Sequence, residues 1–110
     1  MTNEARLHDA LASVMNAYHL VLDGQPEEGA AYRYAGESHI FESDVPIMTQ
    51  ENYQVYIYQR EYSPDLVAKA KTGLMDAGFT VQQGGQAMDG DYYRDELRVS
   101  IGREEKHGDE

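Results

Sequence analysis

The stretch Asn52-Tyr53-Gln54-Val55-Tyr56-Ile57-Tyr58-Gln59-Arg60, trailed closely by Ser63-Pro64-Asp65, decides the fold. Tyr53, Val55 and Ile57 alternate with Gln54, Tyr56 and Tyr58, the period-two pattern of a β-strand rich in branched and aromatic residues. Aromatics on both sides predict a central strand whose second face is covered or serves as a contact surface. The next segment reads as a helix. Ser63 is a good N-cap, Pro64 stands at the first helical position, where its missing N–H costs nothing, and Asp65 suits the positive end of the helix. Leu66, Val67, Ala70, Leu74 and Ala77 form the apolar stripe, and Gly78 is placed to end the helix in a left-handed turn.

Toward the N-terminus, residues 30–41 read as an extended segment bent at Gly36, and Asp44-Val45-Pro46 marks the next connection. Residues 23–29 form a loop on composition. A first helix, capped by Thr2 or Asn3, carries Leu7, Leu11, Val14, Met15 and Tyr18 at the spacing of one buried face. Residues 18–22 are β-prone and form a short strand or finish that helix. Beyond Gly78, Phe79-Thr80-Val81 begins a strand. Residues 82–91 form a turn-rich link, and residues 93–101 are the last strand. The expected class is α+β: a mostly antiparallel sheet with two helices on one face, in a single domain over residues 1–102, with a frayed charged tail at 103–110.

The bulk numbers narrow the job. A chain of 110 residues with 41% hydrophobic residues makes one ordinary domain with a real core. Twenty acids against nine bases give a net charge of −11, the opposite sign from a nucleic-acid module. The acids are spread: the first 55 residues hold 9 against 2 bases, the last 55 hold 11 against 7. With no cysteine, disulfides, thiolate metal sites and cysteine nucleophiles are excluded. No apolar run reaches the roughly 20 residues of a membrane helix, and the N-terminus opens directly into an amphipathic pattern. A soluble cytoplasmic protein is the expectation.

Catalytic and metal patterns are weak. His8, His19, His39 and His107 have no partner at zinc spacing, and His39 beside Glu37 and Glu42 reads as a solvated histidine. Asp89-Gly90-Asp91 lacks the donor pattern of a calcium loop and reads as a turn. No serine occupies a nucleophile elbow, and Gly84-Gly85 precedes no phosphate-binding helix. The expectation is no enzyme, no cofactor and no metal. The nine tyrosines say more. Tyrosines on strands either form a low-entropy contact surface for another protein or stabilise the sheet by cross-strand packing. The candidate interface residues are Tyr32, Tyr34, His39, Phe41, Tyr56, Tyr58 and Tyr92.

Residues 30–101 resemble the small tail-completion (tail terminator, head–tail joining) proteins of long-tailed bacteriophages. The resemblance is carried by Ala31-Tyr32-Arg33-Tyr34, the strand Asn52-Tyr53-Gln54-Val55-Tyr56-Ile57-Tyr58, the helix from Ser63-Pro64-Asp65 to Asp76-Ala77-Gly78-Phe79-Thr80-Val81, and the strand around Tyr92-Tyr93. It covers about two-thirds of the chain. The resemblance implies a homo-oligomeric ring, six-fold, that caps the tail tube and meets the head–tail connector. It also implies host cytoplasm during assembly, then the head-proximal end of the virion tail, with no membrane and no sequence-specific nucleic acid as partners. A mobile loop over residues 36–46 would serve as an arm toward a neighbour. The alternative is a small acidic regulatory or inhibitory binding module, a nucleic-acid-mimic decoy acting on a host protein.

Overall fold

The computed structural model describes residues 2–20, 26–42 and 45–104, with side chains described for all of these except 40–42, 45–47, 103 and 104. The element order is α1 (Asn3–Ala12), β1 (Ala17–His19), β2 (Gly29–Glu42), β3 (Val45–Gln59), α2 (Pro64–Asp76), β4 (Thr80–Asp89) and β5 (Tyr92–Glu104). The strands form one sheet in the order β1-β2-β3-β5-β4, antiparallel except for the short β1–β2 pair. The chain is therefore α+β with a mostly antiparallel sheet, as its alternating and 3.6-period segments require.

β3 lies between β2 and β5, and register assigns its two faces. Tyr53, Val55 and Ile57 stand opposite Tyr34, Tyr32 and Ala30 on one side and Val99, Leu97 and Asp95 on the other. On this inner face a core cluster joins Tyr32, Tyr53, Val55, Ile57, Leu97 and Val99 to Leu7 and Leu11 of α1 and Val67, Ala70 and Leu74 of α2. Burial of these apolar side chains is the main favourable term holding the layers together.

The helix ends follow the sequence in part. Thr2 caps α1 by accepting from the Ala5 N–H at 3.1 Å. α1 stops at Ala12, so Tyr18 belongs to β1, where the β-prone Tyr18-His19 pairs alongside β2. At α2, Pro64 opens the helix but the Ser63 hydroxyl makes no cap bond. Instead the buried Gln59 side chain accepts from the Ser63 N–H at 2.8 Å and donates to its carbonyl at 3.3 Å. Gly78, at φ 97°, ends α2 as its lack of Cβ allows. The Arg6 guanidinium donates to the Ala77 carbonyl, so α1 satisfies an orphan group at the end of α2.

Three expectations about connections are corrected. Residues 36–42 and 45–46 are not a loop: they pair as β2 and β3, with register shifts between Tyr34/Glu37 and Ile40/Phe41. One extra residue beside Gly36 is absorbed as a bulge, so the glycine bends a strand that continues. Residues 82–89 are likewise strand; Gly84-Gly85 sits in the register shift between Gln83 and Gln86, leaving only Gly90-Asp91 as the hairpin turn. β5 runs on to Glu104, so residues 103–104 of the expected tail are paired; residues 105–110 lie outside the described residues. Residues 23–25 of the expected 23–29 loop also lie outside them; residues 26–28 are in no helix or strand, while Gly29 already belongs to β2.

The register gives the molecule an arm. β4 ends its pairing at Thr80, opposite Ser100, whereas β2, β3 and β5 continue past that row to Met48–Glu104 and Glu42–Val45. A three-stranded extension thus leaves the five-stranded body, and the chain measures 52 × 25 × 21 Å. Asn3 Nδ2 donates to Glu51 Oε2 at 2.6 Å, tying the start of α1 to the base of the arm.

Asp95 breaks the inner-face pattern. It is 1% exposed, with the Gln86 amide donating to it at 3.5 Å. Burial pushes its carboxyl up from the ordinary aspartate range, and the Gln86 bond opposes that rise. The folded chain therefore holds this proton more tightly than the unfolded chain. Its contribution to stability falls as pH rises from the unfolded value through the folded one, and the penalty is complete above the latter. Asp95→Asn should stabilise the protein at pH 7 by on the order of 1 kcal/mol. The gain should shrink toward zero near pH 3, as read by urea unfolding of both chains across that range.

Candidate interaction surface

The even-numbered residues of β3 face away from the core cluster, and the register brings a distinct set of side chains to that outer face. Tyr18 stands in register with Ala31, which stands opposite Tyr56, which stands opposite Glu96. One row further, Arg33, Gln54, Arg98 and Gln82 lie side by side across four strands. Toward the β4–β5 turn come Tyr58 and Arg94, then Tyr92 and Asp89.

The tyrosines on this face are packed on one another and on cations. Tyr58 meets Tyr92 edge-on, with centroids 6.1 Å apart at 86°, and Tyr56 lies 6.5 Å from Tyr58. Arg94 stacks over Tyr56 at 5.3 Å and Arg60 over Tyr92 at 5.2 Å, with Arg60 also donating to the Tyr92 hydroxyl. Arg33 donates to the Gln54 side-chain Oε1 from both Nε and Nη2, and Arg98 pairs with Glu96 at 3.3 Å. Burial, and then the charge of Asp89, push the Tyr58 phenol up, while Arg94 works the other way. Beside the Arg33–Arg98 row is a groove of about 350 Å³, lined by Gln50, Asn52, Gln54, Gln82 and Arg98 among others.

The seven candidate interface residues divide between two faces. Tyr56, Tyr58 and Tyr92 meet on the outer face, although Tyr58 is only 6% exposed. Tyr32 is on the inner face and 3% exposed, so it works as a core residue. Its ring lies between His8, whose Nδ1 is 2.9 Å from the phenol oxygen, and His19, whose ring centroid is 4.6 Å away. Tyr34 is 49% exposed and packs edge-on against Tyr53 at 5.6 Å. His39, on the arm, has Nδ1 3.0 Å from the Thr49 hydroxyl. The side chain of Phe41 lies outside the described residues.

Tyr53 shows how firmly the inner face is closed. Its phenol is pushed up to about 12, by burial first and then by the neighbouring Glu51 charge, to which its hydroxyl donates at 3.3 Å. Glu4 pairs with His19 at 3.2 Å, so His8 and His19, from two different elements, converge around one tyrosine. Spacing along the chain does not reveal that convergence, because His19 reaches Tyr32 through the β1–β2 pairing and His8 through the packing of α1 on the core.

Five contributors to the outer face went unmarked as candidates in the sequence: Tyr18, Arg33, Arg60, Arg94 and Arg98. The alternation of Tyr92, Arg94, Glu96 and Arg98 along β5 was the available signal. Assigning it to the face bearing Tyr56 and Tyr58 required the β3–β5 register.

Among the described residues no group of three or more His, Asp or Glu side chains could hold a metal ion, and no helix is long and apolar enough to cross a membrane. The arrangement can stack, donate and accept hydrogen bonds over a broad area, as protein-binding faces rich in Tyr and Arg do. No protein-family model matches the chain, and no curated protein is significantly similar to it.

Proposed function

We propose that this protein is a tail-completion (tail terminator) component of a long-tailed bacteriophage, a structural protein that caps the tail tube and joins it to the head connector as a ring-shaped oligomer. The observation that carries the proposal is the shape of the sheet. A three-stranded arm of β2, β3 and β5 runs beyond the row where β4 stops, at one end of a 52 Å long chain. The outer-face tyrosines Tyr56, Tyr58 and Tyr92, with Arg60 and Arg94 stacked on them, gather toward the opposite end, beside the β4–β5 turn. Unlike features at two ends favour head-to-tail contacts, which close into rings when the rotation permits. The resemblance of residues 30–101 to the tail-completion proteins supplies the biological setting. Six-fold symmetry, the tube and connector as partners, and residence at the head-proximal end of the tail belong to that proposal.

Shortening the arm tests it. Residues 39–49 are removed and Ser38 is joined to Gln50 through an Asn-Gly turn, which suits a two-residue hairpin. The body keeps α1, α2, β4 and most of the core, so its far-UV circular dichroism should persist. Ring formation, read by mass photometry and by electron microscopy on tail tubes, should be lost. A shortened chain that still forms rings would remove the arm from the mechanism. A wild-type chain that stays monomeric and binds neither tube nor connector would sink the whole reading.

The acidic-decoy alternative draws less support. A decoy needs acids in a continuous phosphate-like array, and the outer face interposes Arg33, Arg94 and Arg98.

A further inference from the structure

The outer sheet face is less acidic than the chain as a whole. The outer sheet face bears Arg33, Arg94 and Arg98 against Glu96 and Asp89, while the whole chain carries −11. Its other residues are mostly Tyr, Gln, Asn, Ser and Thr, and the described lysines, Lys69 and Lys71, both stand on α2. Enrichment in Tyr and Arg with depletion of Lys and acids is the compositional mark of a protein-binding face. Four strands by about ten residues, at standard spacing and rise, span roughly 19 Å by 33 Å, or roughly 600 Å². That is close to the ~800 Å² per partner of a stable interface.

The helices supply the complementary surface. Asp9 and Asp76 are both exposed, and both sit in the last turn of their helices, where no basic residue is present. The helix dipole disfavours an acid there, so each carboxylate breaks a local rule of stability. Rules broken without local compensation concentrate at functional surfaces. The two acids flank one shallow groove of about 490 Å³, which Gly73 and Ala10 also line. Arg6 shares the groove, but its guanidinium is engaged by the Ala77 carbonyl, Asn3 and the Phe79 ring.

We infer that the outer sheet face of one copy seats on the Asp9/Asp76 groove of the next, with the exposed Arg33 and Arg98 exchanging their contacts to Gln54 and Glu96 for the two carboxylates. The contact is therefore heterologous, and repetition produces a ring or an open filament. The inference rests on the proposed ring-forming function and identifies the surfaces that would build it.

A charge swap tests it. Arg33→Glu/Arg98→Glu and Asp9→Arg/Asp76→Arg are made in the full chain, with Arg33→Gln/Arg98→Gln as a milder control should the first variant unfold. Circular dichroism and thermal melts establish folding, and mass photometry with native mass spectrometry reads the assembly. Each reversed chain, or the glutamine control, should remain monomeric at ten times the concentration at which the wild type assembles. Mixing the two reversed chains should restore alternating assemblies. Rings of Arg33→Glu/Arg98→Glu at wild-type concentration would overturn this inference and leave the ring-forming function standing, as would a mixture that stays monomeric. A wild-type chain monomeric at every concentration, alone and on tail tubes, would overturn both. A wild-type monomer that binds a fluorescent single-stranded oligonucleotide, and releases it when Arg33 and Arg98 are reversed, would assign the face to nucleic acid and overturn the inference.

Discussion

A Leu97→Ala chain is expected to unfold roughly 12–20 °C below the wild type, a loss of about 3 kcal/mol. Leu97 is fully buried in β5, opposite Val55, whose other neighbour is the buried Tyr32. It therefore packs in the middle of the cluster shared by sheet and helices. Truncation removes three carbons from water-free packing and leaves a cavity that the paired strands cannot collapse around. Differential scanning calorimetry reads the shift directly. A loss under about 1 kcal/mol would mean that the centre of the core is elsewhere. The proposed ring assembly should suffer only in proportion to the unfolded fraction, since Leu97 is not on the outer face.

Gly29→Ala is expected to cost about 3 kcal/mol for a different reason. Gly29 begins β2 at φ 128°, a conformation that L-residues avoid. An added Cβ would also collide with the Asn16 carbonyl, coming within 3.1 Å of its carbon. That same carbonyl accepts the Ala30 N–H at 2.7 Å and so anchors the parallel β1–β2 pair. The methyl cannot move away without breaking the bond. Gly36→Ala is the control: its φ is 97° but open space surrounds it, so strain alone should cost about 1 kcal/mol. Urea denaturation of the two variants separates collision from strain. Equal losses would show that the β1–β2 approach is looser than this geometry requires.

Local patterns carried a good part of the fold. The alternation around Val55 and the Ser63-Pro64-Asp65 start of α2 are set by backbone sterics and side-chain periods, and strand and helix form where those patterns lie. One glycine pair misled. Gly84-Gly85 looked like part of a turn-rich link, yet it sits in a register shift within a continuing strand, because pairing on the neighbouring strand outweighs local freedom; the bend expected at Gly36 within an extended segment does fall inside β2. The interface candidates suffered from the same gap. Tyr32 and Tyr56 are equally tyrosine in the sequence; only the strand register buries one and turns the other outward.

The sequence by itself determined the class, the acidity and the principal strand and helix, because these depend on composition and on periods of 2 and 3.6 residues. Tertiary structure alone decided three things: which face each tyrosine joins, that Arg33, Arg94 and Arg98 gather on one surface of an acidic chain, and that β2, β3 and β5 outrun β4 as an arm. Each of these is a relation between strands distant along the chain. A slip of one residue in register would exchange the two faces while leaving every local pattern intact.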